Sequence, residues 1–144
     1  MVHLDIQENR IDDVVLLLQS LPEFVNPPSA ADILGRIGEV PHLVLTAYLD
    51  GQLCGCKVGY EREGMFYSWL GGVLPAFRQA GVAAVLADRQ EAWAAQQGYR
   101  TIWMKTRNRF PAMLLMAVRR GFRITSVLPE EEIAEHRIVL EKSI

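Results

Sequence analysis

The feature that most constrains the fold is a strand–loop–helix in the middle of the chain. An apolar run, Met65–Val73, leads through a loop with Pro, Arg and Gly into an alanine-rich run over residues 82–97. Backbone N–H groups at the start of such a helix have no intrahelical acceptor, and they attract anions, phosphates above all. Small residues at Ala80, Gly81 and Ala83 let a ligand approach the backbone closely. The loop is therefore predicted to hold the pyrophosphate of a nucleotide-like cofactor, with an ordinary strand-to-helix turn as the alternative.

Length and charge restrict the class of protein. A chain of 144 residues is long enough for a hydrophobic core, and residues 1–144 are predicted to form one domain. The net charge of −2 argues against a nucleic-acid-binding protein, which would need a basic face. No apolar run reaches the ~18 residues of a membrane span, and the N-terminus lacks the layout of a signal peptide. We therefore expect a cytoplasmic protein with no nucleic-acid or membrane partner.

Two cysteines, Cys54 and Cys56, are separated by one residue. On a regular strand this spacing places both side chains on the same face, where a disulfide between them would be strained. No second Cys pair or His cluster completes a metal site. Both cysteines are predicted to be reduced thiols in or near the core, and no metal is expected.

Hydrophobic periodicity and turn residues predict the order of the elements. Asn9 and Ser29 are the predicted N-caps of the first two helices, and Asp50-Gly51 is a strong two-residue hairpin turn. The predicted strands are 3–7, 43–49, 52–60, 65–73, 101–106, 123–128 and 135–140; the predicted helices are 11–21, 29–37, 81–97 and 110–119.

The order of these elements predicts a mixed sheet. Three antiparallel strands come first, and the strand–helix–strand that follows is a crossover, which requires a parallel neighbour. Where the parallel pair forms, two strand ends can splay apart and leave backbone groups unpaired. A flat ligand that carries amide groups can dock there like an additional strand.

The chain resembles the GCN5-related N-acetyltransferases (GNAT), a family that moves acetyl groups from acetyl-coenzyme A (acetyl-CoA) to amines. The strand end Val73-Leu74-Pro75-Ala76-Phe77 is similar to the family's Val-x-Pro-x-Tyr/Phe, and the late Gly121-Phe122 is similar to its Gly-Phe. The family's loop motif, Gln/Arg-x-x-Gly-x-Gly/Ala, is matched by Arg78, Gln79, Ala80, Gly81, Val82 and Ala83.

The resemblance implies the α/β GNAT (acyl-CoA N-acyltransferase) fold, a mixed antiparallel–parallel sheet of about six to seven strands flanked by about four helices. It implies that the 78–83 loop binds the pyrophosphate and that the backbone of Gly72 and Val73 pairs with the pantetheine arm. A bulge is expected at Gly71-Gly72. A backbone N–H nearby would polarise the thioester carbonyl. A likeness to one branch of the family implies that Asn108 contacts the pantetheine or the phosphates.

The implied reaction is direct attack of a primary amine on the thioester. Tyr67 and Ser68 are candidate catalytic residues, since either could anchor water or substrate. Strand alternation predicts Tyr67 and Trp69 on one face, with Phe66, Ser68 and Leu70 on the other. The position where the family often has a tyrosine general acid falls at Ala117. Alanine cannot protonate a thiolate, so a non-catalytic acyl-CoA-binding or sensor domain is the alternative function.

The acceptor is expected to be a small-molecule or peptide amine. An acidic run, Glu130-Glu131-Glu132, would favour a cationic amine if it lined the cleft, but it also fits a solubilising loop. Lys105, Arg107 and Arg109 form a basic cluster that could meet the 3′-phosphate of coenzyme A or simply be solvated. A homodimer is possible through the apolar late run Ile138-Val139-Leu140.

Overall fold

A computed structural model describes residues 2–144, which form one seven-stranded sheet with the order β1-β2-β3-β4-β5-β7-β6. The strands are β1 (Leu4–Glu8), β2 (His42–Leu49), β3 (Gln52–Arg62), β4 (Met65–Val73), β5 (Thr101–Arg107), β6 (Arg123–Leu128) and β7 (Arg137–Ser143). The helices are α1 (Ile11–Gln19), α2 (Ala30–Ile37), α3 (Val82–Gln96) and α4 (Pro111–Arg119). Among these residues no helix is both long and apolar enough to cross a membrane.

The sheet is mixed, as the crossover predicted. β4 and β5 are parallel, and every other neighbouring pair is antiparallel. Both early hairpins close through two-residue turns, Asp50-Gly51 and Glu63-Gly64, whose four residues have φ between 50° and 84°. Positive φ at both central positions matches the twist of the flanking strands. The second hairpin was predicted to turn over residues 61–64, but β3 continues to Arg62.

The helices cover both faces of the sheet, and each face has its own apolar cluster. On one face α1 and α2 contribute Leu17, Leu18 and Ile33. On the other face α3 and α4 contribute Leu86 and Ala117. Side chains on either side of β4 therefore meet different surroundings, which matters for the site.

Of the two predicted helix N-caps, the one for α2 is confirmed and the one for α1 is not. Ser29 caps α2 as predicted, and a reciprocal bond from its backbone N–H to Asp32 completes a capping box. The prediction for Asn9 is wrong. Arg10 is the N-cap of α1 and makes no side-chain cap bond, while Asn9 adopts a left-handed φ of 64° because it turns the chain out of β1.

A β-bulge at Cys54 corrects the prediction for the cysteines. Ala47 pairs with Gly55 and Tyr48 pairs with Leu53, so Cys54 is the additional residue. A bulge shifts the alternation of side chains. Cys54 consequently lies in the cluster under α3, and Cys56 in the cluster under α1 and α2. Both are buried free thiols, as expected.

The last strand occupies an interior position. β7 lies between β5 and β6, and Ile138 and Leu140 are 4% and 0% exposed. Burial in the core explains the apolar character of Ile138 and Leu140 without a dimer surface, and a homodimer stays a prediction. The exposed edge is β6, where Ile124 and Val127 are about half exposed.

Candidate active site

The parallel strands β4 and β5 separate after a short paired stretch. They pair only through Phe66 with Ile102, Tyr67 with Trp103, and Ser68 with Met104. Residues 69–73 of β4 and 105–107 of β5 extend beyond the last pair, and we call the gap between them the cleft. Backbone groups that face the cleft are free to bind an extended ligand.

The bulge in β4 lies at Trp69. Val58 pairs with Leu70 and Gly59 pairs with Ser68, which leaves Trp69 as the additional residue. The bulge expected at Gly71-Gly72 is therefore misplaced by two residues, and both glycines pair regularly with β3. Gly72 is needed for a different reason, because a Cβ there would lie 2.5 Å from Cδ1 of Leu21.

The bulge also changes which side chains share a face. Tyr67 and Leu70 belong to the cluster under α1 and α2, and Trp69 packs against it. Phe66 belongs to the opposite cluster. The prediction that Leu70 shares a face with Phe66 and Ser68 is thus wrong, because the additional residue moves Leu70 across the sheet.

Alternation of the backbone identifies the groups that face the cleft. The N–H of Leu74 donates to the carbonyl oxygen of Cys54 at 2.8 Å, on the β3 side. Since neighbouring residues of a strand direct these groups to opposite sides, Val73 and Gly71 present theirs to the cleft, and Gly72 presents its own to β3. Nε of Arg78 donates to the Val73 carbonyl at 3.0 Å.

The start of α3 is open to a ligand. Its N-cap, Gly81, has φ 81° and makes no side-chain cap bond, and a Cβ at that position would meet nothing within 4 Å. The N–H of Val85 bonds to the Gly81 carbonyl, so the N–H groups of the three residues before Val85 are those left without intrahelical acceptors. Gln79 also has positive φ, at 67°. Arg78 extends away and pairs with Glu23 at 3.1 Å, which ties the loop to the segment after α1.

A basic pocket of about 390 Å³ lies beside the cleft on the α1/α2 face. Its lining combines five cationic side chains with two aromatic ones and a threonine: Arg36, Arg62, Lys105, Arg107, Arg137, Tyr67, Trp69 and Thr106. Tyr67 is 6% exposed and stacks on Trp103 at a centroid distance of 4.3 Å. Burial raises the pKa of the Tyr67 phenol, which therefore stays protonated at neutral pH.

Ser68 lies on the opposite face from Tyr67. It lines a small cavity of about 20 Å³ together with Lys57, Gln90 and Ala117 among others. Burial lowers the pKa of the Lys57 amine. The two candidate catalytic residues therefore do not converge on one point. Ala117, 1% exposed, places a methyl group in this cavity.

Asn108 follows β5 at the mouth of the cleft. Its Nδ2 donates to the Ile133 carbonyl at 2.9 Å, and its N–H donates to the His136 carbonyl at 3.2 Å. The side chain thus holds the loop between β6 and β7 in place.

Sequence reasoning found only part of the basic pocket. Lys105 and Arg107 were singled out, but Arg109 pairs with Glu135 and does not line the pocket. Arg36, Arg62 and Arg137 come from α2, β3 and β7 and carry no shared spacing, so only the fold brings them together.

Comparisons with known proteins agree with the family that the motifs resemble. Residues 38–108 match the sequence model of the acetyltransferase (GNAT) domain. The seven-stranded sheet with one splayed parallel pair is the GNAT fold. The matched segment, just under half of the chain, is similar to the GNAT acetyltransferases, and the fold agrees with that family over nearly the whole chain. Together these findings support an acyltransferase enzyme. No curated protein sequence matches it significantly.

Solved structures with the same fold cover nearly the whole chain. Ard1 from Thermoplasma volcanium has a TM-score of 0.82 at 18% identity, covering 98% of this chain and 97% of that one. The ribosomal-protein-S18-alanine N-acetyltransferase from Escherichia coli has a TM-score of 0.82 at 17% identity, with coverages of 100% and 94%. Arabidopsis thaliana Naa50, in complex with the bisubstrate analogue CoA-Ac-MVNAL, has a TM-score of 0.75 at 17% identity, with coverages of 98% and 99%. At these identities the likeness establishes the fold.

Proposed function

We propose that the protein transfers an acetyl group from acetyl-CoA to a primary amine by direct attack. The observation that carries this proposal is how the splayed cleft connects to α3: β4 leads from the cleft, through a 3-10 turn (Pro75–Phe77) and the loop over residues 78–81, to a helix start without a side-chain cap. An extended, amide-bearing arm that ends in a pyrophosphate is complementary to that arrangement. The family and the coenzyme A moiety bound to Arabidopsis Naa50 support the same co-substrate.

The loop over residues 78–83 would hold the pyrophosphate. The N–H groups of Val82 and Ala83 supply the donors, and Gly81, Gln79 and Ala80 shape the turn. Because Arg78 already pairs with Glu23, its proposed part is to hold the loop in place, and a phosphate would have to compete for its guanidinium.

Along the cleft, the backbone of Val73 and Gly71 would pair with the pantetheine. Gly72 contributes by lacking a side chain where Leu21 packs. The Asn108 amide nitrogen is engaged with Ile133, so a contact with the co-substrate would use its Oδ1.

The reaction requires a neutral amine, a polarised carbonyl and a departing thiolate. The amine nitrogen bonds to the carbonyl carbon, the C–S bond breaks, and the proton lost by the nitrogen ends on the thiol or in solvent. A cleft-facing N–H near the bulge would stabilise the oxyanion by roughly 3 kcal/mol. Tyr67, a protonated phenol on the basic-pocket face, is suited to donate a hydrogen bond to the acceptor rather than to act as the base. Thiolate departure needs no acid, since a thiol of pKa about 8.5 is a tolerable leaving group, and the methyl group of Ala117 supplies none.

The loop assignment is tested with two glycines of matched backbone. Gly81 and Gly64 both have positive φ and open space around a Cβ, so tryptophan imposes similar strain at each. We expect Gly81→Trp to abolish acetyl-CoA binding in calorimetry and Gly64→Trp to preserve it. Equal affinities in the two variants would contradict the loop assignment. Thiol release with a panel of amines tests turnover, and a protein that binds acetyl-CoA but releases no thiol with any amine would be a sensor domain.

A further inference from the structure

The basic pocket carries more positive charge than acetyl transfer to a simple amine requires. We propose that the acceptor is an acidic small molecule, a primary amine that also carries a carboxylate or a phosphate, and that Arg36, Arg62 and Lys105 bind this anionic group. The inference rests on the proposed acetyl transfer and names its substrate class.

Positive charge is concentrated in the basic pocket. Five of the eight residues that line the pocket are Arg or Lys, although the whole chain has a net charge of −2. Two of them are neutralised, since Arg107 pairs with Glu135 and Arg137 pairs with Glu130, each at 3.4 Å. Within residues 2–144, Arg36, Arg62 and Lys105 form no ion pair. Neighbouring like charges repel each other, and an anion between them relieves the repulsion.

Aromatic rings hold these cations in position. The Arg36 guanidinium lies 5.2 Å from the Trp69 ring centroid and donates to the Tyr60 hydroxyl at 3.1 Å. The Arg62 guanidinium lies over the stacked Tyr67 and Trp103 rings, and Nζ of Lys105 lies 5.6 Å from Trp103. Such contacts orient a cation without neutralising it. The pocket therefore offers preorganised charge around an aromatic floor.

The positive charge of the pocket would also act on the reacting amine. Nearby cations disfavour an ammonium ion, so they favour the neutral amine that attack requires. The Lys105 amine experiences this environment, because burial first and then Arg62, Arg137 and Arg36 lower its pKa, with only Glu63 opposing them. The field that binds the acid group would thus also lower the pKa of the amine, whose proton would pass to water.

The pocket is distinct from the proposed pyrophosphate site. Its residues lie on the α1/α2 face, whereas α3 packs on the other face of the sheet. The acidic loop does not reverse the charge, because Glu130 pairs with Arg137. A cationic acceptor would meet Arg36, Arg62 and Lys105 at the cleft, so the possible preference for a cationic amine is not supported.

The test compares acceptors that differ in charge. The pairs are glutamate with its diamide, 4-aminobutyrate with putrescine, and phosphoethanolamine with ethanolamine; a peptide with a neutral N-terminal sequence is added. We expect kcat/KM for thiol release to be roughly tenfold or more higher for the anionic member of at least one pair. The first two pairs report on carboxylate and the third on phosphate. Equal or better use of the neutral, cationic or peptide acceptors would overturn the inference.

Variants then locate the anion. Arg36→Met, Arg62→Met and Lys105→Met should each reduce the preference for the anionic acceptor several-fold with the acetyl-CoA Kd unchanged. Arg100→Met, just before β5 at the end of the strand remote from the cleft, is the control and should change neither quantity. A loss of acetyl-CoA affinity in the three pocket variants, with charge preference retained, would assign the pocket to a phosphate of the co-substrate and refute the inference.

A binding measurement keeps the inference testable if turnover is absent. Trp69 and Trp103 lie in or under the pocket, so their fluorescence should report saturable binding of glutamate or phosphoethanolamine to wild type and much weaker binding to Arg62→Met. Binding of these anions without any thiol release would contradict the proposed function but support the pocket. Thiol release with neutral amines but no anion binding would support the proposed function and contradict the anion-binding role of the pocket.

Discussion

Adding one methyl group at Gly59 should destabilise the protein, although glycine-to-alanine changes are often neutral or favourable. Gly59 lies on β3 opposite Ser68, beside the bulge. A Cβ at Gly59 would lie 2.4 Å from Cε2 and 2.8 Å from Cζ of Phe66. The Phe66 ring cannot move aside easily, because it is fully buried and packs against Trp93 and Tyr99 at centroid distances of 5.4 and 5.5 Å.

The expected magnitude follows from overpacking. An additional methyl group in a well-packed core costs roughly 1–3 kcal/mol. In a chain of about this size, 1 kcal/mol shifts Tm by roughly 2–4 °C, so Gly59→Ala should lower Tm by roughly 2–12 °C. Urea unfolding followed by circular dichroism measures the free energy directly. A smaller side chain at position 66 should relieve the clash. The double variant Gly59→Ala with Phe66→Leu should therefore lose less free energy of unfolding than the sum of the losses in the two single variants.

The matched control is Gly35, an exposed glycine inside α2, where an added Cβ would meet no atom within 4 Å. Alanine is the better helix former by roughly 0.8–1 kcal/mol, so Gly35→Ala should stabilise. The same substitution thus has opposite signs at two sites. Equal effects at Gly35 and Gly59, or no coupling between Gly59 and Phe66, would refute the packing argument.

Three further predictions concern capping and titration. Ser29→Ala removes the capping box and should cost ~1 kcal/mol in urea unfolding, with little change for Asp32→Asn if the hydroxyl bond dominates. Burial raises the pKa of Cys56 to about 12, so at pH 8 neither Cys54 nor Cys56 should react with a thiol reagent until the protein is unfolded; rapid labelling of native protein would contradict this. Burial lowers the pKa of Lys57 below 10.5, so the unfolded chain binds that proton more tightly, and stability should rise with pH between the lowered pKa and 10.5. Lys57→Met should show a smaller rise in urea unfolding over this range, and an identical pH profile would contradict the burial of the charge.

The sequence predicted the features that depend only on residues close together along the chain. The Asp50-Gly51 turn, the Ser29 N-cap and the start of α3 with unpaired backbone N–H groups after Gly81 were all predicted, because each depends on a few consecutive residues. The bounds of β4, Met65–Val73, were predicted for the same reason. The mixed sheet followed from the order of elements alone.

Features set by pairing between distant segments could not be predicted. The bulges at Cys54 and Trp69 depend on the register with β2 and β3, and neither residue carries a local signal for a bulge. The two glycines Gly71-Gly72 suggested a bulge by their composition. At Gly72, however, a glycine is required because Leu21 packs too closely to leave room for a Cβ. The basic pocket was invisible for a related reason, since its cations come from α2, β3, β5 and β7.

The bulge at Trp69 connects these observations to chemistry. In a strand without it, Leu70 would follow Ser68 to the α3 face, and the wall under α1 and α2 would lose a large apolar side chain. With the bulge, Tyr67, Trp69 and Leu70 all lie on the face of the sheet that holds the basic pocket. Ser68 lies on the opposite face, where it lines the small cavity together with Ala117. An acceptor in the basic pocket and a thiol on the Ala117 side would therefore meet only through the cleft between β4 and β5. The side proposed to receive the amine is rich in positive charge, and on the other side Ala117 has a methyl group at the position where a general acid was expected. In the proposed reaction, the protein therefore assists mainly by favouring the neutral amine, and the thiolate leaves without a general acid.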